Sequence, residues 1–545
     1  MSETSAQKTA SAERSRAARW HWTAAACTAL VLCALRIGPA FTPDEGTERV
    51  FLGFAYSIED SLQYADFVAQ ARDGRLLLSN RFTLEAEEPH LVILPLYACG
   101  RVADYLGLRV ASAWAGLQAV CVLAFVLLWY WFLGALFARP GQRLFAFFFT
   151  LLAGGLDGWV VLAGDAWPES WAAVLKRDLW TVLGWTPYMT MYNPLYLAGW
   201  ICSLPALRLL LAALDGRRSA GLLLALGLPL VYLVHAYDAV VLTATALAAC
   251  LHPLLVGLSG RELGRVCRSA AWAFWGLPAV VVLALWSAQD PVLSRAAAAS
   301  HSGRFVSPVM WLLGFGGIAL AAAYGVRRLG EPNARARLLF GWLAASALLS
   351  FSPIFEGRHF LYFVSLPLGV VAVDGLLWLR ERLGPFSRRR LLWIAAAGAL
   401  VFGSSFVRTT HRAFAHVQRD GRMYITPAEL HAARHLRDLP EGGVLCTWET
   451  GSWLPHLSGK RAVMGHWFMT LRGAVKKAAF ARLLHPDTSP AERDRLMIAL
   501  GARYLFWGPR EAALGPRPRC DRVQLLPLHR VGRVFVLEIR PPDSL

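Results

Sequence analysis

Charge is scarce in this chain. Only 17% of its 545 residues are Asp, Glu, Lys or Arg, against about a quarter in soluble domains. With 56% hydrophobic residues and a mean hydropathy of +0.41, that excludes an ordinary soluble globule. Acids are the scarcer sign, 37 against 55 Lys and Arg, for a formal net charge of +18. The arginines fall mainly in short connectors between apolar runs, a pattern of membrane topology, so no nucleic-acid partner is expected. The nine cysteines form no CxxC pair, which removes the usual signal for a zinc site or a disulfide framework. Cys446 and Cys520 stand in the polar tail, where pairing depends on an oxidising compartment. Walker A, GxSxG, HExxH and GxGxxG motifs are missing from any suitable context, so nucleotide hydrolysis and dehydrogenase chemistry lack support.

Long apolar runs are abundant. They recur at 20–37, 110–137, 144–163, 191–213, 220–236, 239–257, 270–288, 308–326, 338–354, 360–379 and 391–407. The expected fold is a polytopic α-helical membrane protein with about 11 transmembrane helices. The connectors "ARPGQR", "LDGRRS", "SGRELGRVCRS", "RRLGEPNARAR" and "RERLGPFSRRR" are basic and share a side with the basic N-terminus. The positive-inside rule puts that side in the cytoplasm and, after an odd number of spans, the C-terminal region outside. Residues 1–19 read as a disordered cytoplasmic lead. Residues 20–407 form the multi-span body with a large first outer loop at 38–108, and 408–545 form a small extracytoplasmic α/β domain. The setting implied is the plasma membrane, or the inner membrane of a bacterial-type envelope.

The first outer loop reverses the charge bias: residues 44–90 hold ten acids and four bases. Within it, "SIEDSLQYADFVAQARDG" predicts a helix capped by Ser61, with Leu62, Tyr64, Ala65, Val68 and Ala69 on an apolar face lying along the membrane interface. Glu59 and Asp60 sit at its N-terminal end, where a carboxylate is stabilised as the anion that a general base requires. Downstream, Glu85, Glu87, Glu88 and His90 return to the membrane surface, with Glu88 and His90 as accessory candidates.

This arrangement of one span, an acid pair, a Tyr-containing helix ending in Gly and a Pro-Tyr return resembles the GT-C class of polytopic glycosyltransferases, such as protein mannosyltransferases and aminoarabinose transferases. The resemblance implies a polyprenyl-phosphate-linked sugar donor used at the outer face, with an acid of the first outer loop as base or acceptor-positioning group. Asp60 is the favoured acid. Glu59 and the Asp44-Glu45 pair remain alternatives, because the order here is Glu-Asp where the class has Asp-Glu. Arg358 and His359, in "SPIFEGRHF", resemble the basic groups that GT-C enzymes place in their last outer connectors, and Arg is a bidentate phosphate ligand. His235 and Asp238, beside Tyr237, mark another membrane boundary, either as functional groups or as a satisfied turn. Asp165, Glu169 and the aromatics Trp167, Trp171, Trp180, Trp185, Tyr188 and Tyr192 read as a sugar-stacking wall or an interfacial belt.

In the tail, Thr447-Trp448-Glu449-Thr450-Gly451 follows a predicted strand and resembles the WWDYG signature of oligosaccharyltransferase catalytic subunits, keeping one Trp and the Gly. Trp448, His466 and Lys476 are accessory or acceptor-binding candidates. No cofactor is implied, and a divalent metal stays open. The expected function is an inverting glycosyl transfer from the lipid-phosphate donor to a glycan, lipid or protein acceptor, in contact with membrane lipid. The competing expectations are a transporter or flippase of a lipid-linked saccharide and a non-catalytic envelope assembly protein.

Overall fold

The computed structural model describes all residues except 1–2, 42–47, 56, 86–88, 90, 155–186, 258–259, 290–307, 352–356, 385–386, 388, 391–397, 399–402 and 543–545. They divide into two units, one of residues 1–37, 117–283 and 303–412 and the other of 38–116, 284–302 and 413–545. Among the described residues, six helices are long and apolar enough to cross a membrane: Arg19–Phe41, Val110–Leu136, Pro194–Leu214, Ala236–Leu255, Val266–Ser287 and Leu361–Leu383. The chain is a multi-pass membrane protein. Two further expected spans are the helices Arg218–Val234 and Ala334–Ser350, 17 residues each, shorter than the roughly 20 needed for a perpendicular crossing. The spans expected at 144–163 and 391–407 run into residues outside the described set.

The N-terminus departs from expectation. The polar residues 1–19 suggest a disordered lead, yet the first helix already begins at Glu3 and runs to Ile37. Its leading segment is rich in Ala, Glu, Gln, Lys and Arg, which favour helix despite their polarity. In the same unit, the helix Leu361–Leu383 is buried almost throughout. A Cβ added at its Gly375 would lie 2.0 Å from the Ala321 carbonyl oxygen, and one at Gly325 would lie 1.9 Å from that of Val371. Glycine at both positions lets the helices Pro308–Gly325 and Leu361–Leu383 meet backbone to backbone, as close packing in lipid favours.

The other unit joins the first outer loop to the tail. β1 (Val50–Phe51) pairs antiparallel with β2 (Tyr424–Ile425). A five-stranded mixed sheet has the order β4 (Arg461–Ala462), β3 (Gly443–Leu445), β5 (Tyr504–Trp507), β7 (Val534–Arg540), β6 (Gln524–Val531). β3 runs parallel to both neighbours, and β7 runs antiparallel to β5 and β6. Its helices start where local chemistry directs: Thr426 and Glu429 form a capping box for Pro427–Asp438, and Ser489 caps Pro490–Leu500, each leaving Pro at a position that needs no N–H donor. Leu445, Phe480, Leu505 and Leu537 belong to the core against which Leu84 of the first loop packs.

The helix carrying the acid pair spans Ile58–Arg72 and is buried on most sides, including Ile58, Leu62, Asp66, Phe67 and Gln70. This corrects two expectations. The N-cap position belongs to Ser57 and not Ser61, and the apolar face is not left open but is buried, with the helix packed against Leu94–Tyr105 and Trp448–Ser458. Its polar positions are absorbed internally, which hydropathy alone does not reveal. Asp66 is 0% exposed and pairs with Arg81, 7% exposed, at 3.1 Å. Gln70 donates to Asp66 at 2.8 Å and to the Ser79 carbonyl at 2.8 Å. Burial pushes the Asp66 carboxyl above its ordinary value, against the pull of Arg81 and Gln70.

Breaking one side of a buried pair strands a charge, whereas replacing both sides by apolar groups does not. Arg81→Met is therefore expected to destabilise by about 3–5 kcal/mol, and Asp66→Leu/Arg81→Met to recover most of that. Denaturant unfolding of the full-length protein in detergent measures both.

Candidate active site

Three residues of the segment after the Ile58–Arg72 helix bind the tail, two of them to a loop and one to β4. Asn80 donates to the Met469 carbonyl at 2.8 Å, the Phe82 carbonyl accepts from Thr470 Oγ1 at 2.9 Å, and the Arg81 carbonyl accepts from Ala462 N–H at 2.8 Å. Thr470 Oγ1 in turn accepts from the backbone N–H groups of Gly465 and His466, both at 3.0 Å. This brings His466, 0% exposed, to Asp60, whose side chain is 38% exposed, with Nε2 3.6 Å from Oδ1. The Met469 N–H donates to His466 Nδ1, so in the neutral ring the proton resides on Nε2 and faces the carboxylate. At 3.6 Å this is a charge contact and not a hydrogen bond, and Nε2 has no hydrogen-bond partner among the described residues.

Asp60 also accepts from Ser57 Oγ at 2.7 Å. Ser57 adopts a left-handed backbone, φ 44°, which a non-glycine residue rarely holds. Burial raises the Asp60 carboxyl, but the neighbouring His466 ring, with Ser57 and Trp467, outweighs it and holds the group below the ordinary aspartate value. Asp60 is therefore a carboxylate throughout the neutral range. Glu59, one residue earlier, faces Arg422 at 3.6 Å, and Arg422 is held by Asp420 at 2.7 Å.

The Thr447–Gly451 segment is locked by its own fold. Thr447 is the N-cap of Trp448–Ser458 and donates from both N–H and Oγ1 to Glu511, each at 2.9 Å. A Cβ at Gly451 would lie 1.8 Å from the Met464 carbonyl, so this glycine is a packing requirement. The Lys477 ammonium lies 3.4 Å over the Trp448 ring. Lys476 pairs with Glu85 at 2.7 Å, and this contact with that of Thr83 overcomes burial to hold Glu85 below its usual value. Cys446 and Cys520 are free thiols.

In the helical unit, His235 occupies the break between Arg218–Val234 and Ala236–Leu255. Asp238, 0% exposed, accepts from Ser203 at 2.6 Å, from Tyr362 at 2.7 Å, and contacts the His235 ring. Its carboxylate is thus held by three side chains, as buried polar groups generally are. His359 lies tilted against Tyr237, with 5.0 Å between ring centroids. Arg358 lies on the short turn Gly357–Phe360 that leads into Leu361–Leu383, and its side chain lies outside the described set, as do Asp44, Glu45, Glu87, Glu88, His90, Asp165, Trp167, Glu169, Trp171, Trp180, Trp185 and Glu356. Tyr188 and Tyr192 do not form an open wall: both rings are buried and sandwich the Arg36 guanidinium.

Sequence reasoning missed Ser57, Tyr362, Arg422 and Trp467. The run Gly465-His466-Trp467-Phe468 carried the only signal for Trp467. Among the described residues, no three His, Cys, Asp or Glu side chains are grouped to hold a metal ion. Glu59 is turned to Arg422 and Asp60 to Ser57 and His466, so these two carboxylates do not converge on one cation.

No protein-family model and no curated protein matches the chain. Among solved structures, the chain is similar to the oligosaccharyltransferase of Archaeoglobus fulgidus in its apo form, with a TM-score of 0.57 at 12% identity over 89% of this chain and 69% of that one. It is also similar to the archaeal oligosaccharyltransferase AglB from Archaeoglobus fulgidus in complex with an inhibitory peptide and a dolichol-phosphate, with a TM-score of 0.50 at 14% identity over 89% and 69%. A further match is the arabinofuranosyltransferase AftD from mycobacteria, with a TM-score of 0.49 at 16% identity over 96% of this chain and 42% of that one. The chain has the GT-C fold of membrane glycosyltransferases.

His456 provides a separate test of this unit. Burial pushes its imidazole down to about 4, so the folded protein favours the neutral ring. The stability this gives is complete above the unfolded value of 6.5 and is lost as pH falls toward 4, a contribution of roughly 3 kcal/mol. The His456→Gln variant is expected to show a flatter stability profile between pH 7 and pH 4.5 than the wild type, measured by thermal unfolding in detergent.

Proposed function

We propose that the protein transfers a sugar from a polyprenyl-phosphate-linked donor to an acceptor hydroxyl on the extracytoplasmic face of a plasma or bacterial-type inner membrane. The observation that carries this reading is a carboxylate, Asp60, kept ionised on a GT-C fold by His466 and Ser57. In the proposed step the acceptor oxygen attacks the anomeric carbon and its proton passes to Asp60. The bond from that carbon to the lipid phosphate oxygen breaks, and the phosphate leaves with the electron pair, inverting the anomeric centre. Arg358 and His359 neutralise the leaving phosphate. Their assignment is supported by the position of the Gly357–Phe360 turn at the head of a membrane-spanning helix. His466 is a positioning residue, since it acts through Asp60.

The archaeal neighbour in complex with a dolichol-phosphate and a peptide supports a lipid-phosphate donor in general terms. A purified preparation in lipid nanodiscs, supplied with a polyprenyl-phosphate sugar, tests the reading. Asp60→Asn is expected to insert normally and to lose transfer by about 100- to 10,000-fold. Intact transfer overturns the assignment and favours transport or assembly.

The pH dependence follows from the same geometry. A lowered folded value means that the ionised carboxylate persists above the ordinary 3.8 and is lost only as pH falls below it. The acid limb of kcat/KM is expected below that value in the wild type and at higher pH in His466→Phe.

A further inference from the structure

Trp467 is 49% exposed, an unusual state for so large an apolar side chain beside a carboxylate. It directly follows His466, whose Nε2 lies 3.6 Å from Asp60 Oδ1, and it helps hold the Asp60 carboxyl below its ordinary value. Phe468 braces it edge-on, with centroids 4.9 Å from Trp467 and 4.6 Å from His466. Arg422 contacts Glu59, the neighbour of Asp60, at 3.6 Å and is held by Asp420 at 2.7 Å. An aromatic face flanked by carboxylates and a guanidinium suits a sugar ring: its C–H face covers the indole, and its hydroxyls are paired by acceptors and a fork of donors. His466 adds the second observation, a fully buried imidazole whose Nε2 faces Asp60 without a hydrogen bond among the described residues.

The same unit argues against a peptide in this place. The segment that resembles a peptide-reading signature has its threonines bonded within the fold, its glycine packed against backbone and its tryptophan covered by Lys477. We infer that Trp467, with Asp60, Glu59 and Arg422, forms a saccharide subsite, and that the acceptor is a glycan. This rests on the proposed role of Asp60 only for the word acceptor; the subsite itself stands on Trp467.

Saturation-transfer NMR on the full-length protein in nanodiscs tests it, using methyl glucoside, galactoside, mannoside and arabinofuranoside, their disaccharides, and an Asn-Val-Thr peptide as probes. At least one saccharide is expected to receive saturation on its ring protons. Its affinity should fall at least tenfold in Trp467→Ala, partly recover in Trp467→Phe, and stay unchanged in Trp448→Ala. Saccharide binding indifferent to Trp467, no saccharide binding at all, peptide binding abolished by Trp467→Ala, or quenching of Trp467 by brominated lipid would each overturn it. Asp60→Asn separates the two readings. Retained sugar binding with lost transfer supports both, and retained binding with intact transfer leaves the subsite while removing the proposed base.

Discussion

A buried ion pair holds the candidate site together. Asp66 and Arg81 have almost no access to water, and neither charge is tolerable in that setting without the other. Asp66 projects from the helix that carries Asp60, and Arg81 from the extended segment that follows it. The pair therefore fixes that segment against its own helix. Gln70 doubles the link by bonding both Asp66 and the backbone of Ser79.

The rest follows along the chain of contacts. With Arg81 fixed, its neighbours Asn80 and Phe82 present backbone and amide groups at a set register, and the loop from Gly465 to Thr470 is bound to them. That loop carries His466 and Trp467 back to Asp60, closing a ring that starts and ends on one helix. The site is thus assembled from two stretches of sequence nearly four hundred residues apart, and the charge pair lies within the first, where it fixes the segment that binds the second. A surface ion pair would contribute little in the same role. Here its worth is geometric, because a displaced Arg81 would release the segment that holds the loop.

Some of this was legible in the sequence. The membrane body followed from the apolar runs, and the GT-C resemblance followed from topology and the acid pair. Three tail strands lie in the short apolar runs "GGVLCTW", "RYLFWG" and "RVFVLEI", and two tail helices start at "TPAE" and "SPAE", whose caps have a local mechanism, while Arg461–Ala462 and Gln524–Val531 lie outside those runs. What was hidden depends on contacts distant in sequence. Ile58–Arg72 has the spacing of an interfacial helix, and only the positions of Arg81 and the tail reveal that Asp66 and Gln70 are internal. Ser61 has good capping chemistry, yet the helix already begins at Ile58, with Ser57 at the N-cap position and its hydroxyl bonded to the Asp60 carboxylate and not to a backbone N–H. In the Thr447–Gly451 run, which resembles a recognition signature, Thr447 is bound to Glu511 and Gly451 meets the Met464 backbone, while Glu449 stays exposed.

The central claim is that Asp60 and His466 act as one unit, and a double-mutant cycle on the transfer rate tests it most directly. The account predicts that His466→Phe slows transfer by about tenfold or more in the wild-type background, in line with the worth of a positioned proton-transfer group, and has no further effect once Asp60 is Asn. Equal, additive losses in both backgrounds would contradict it.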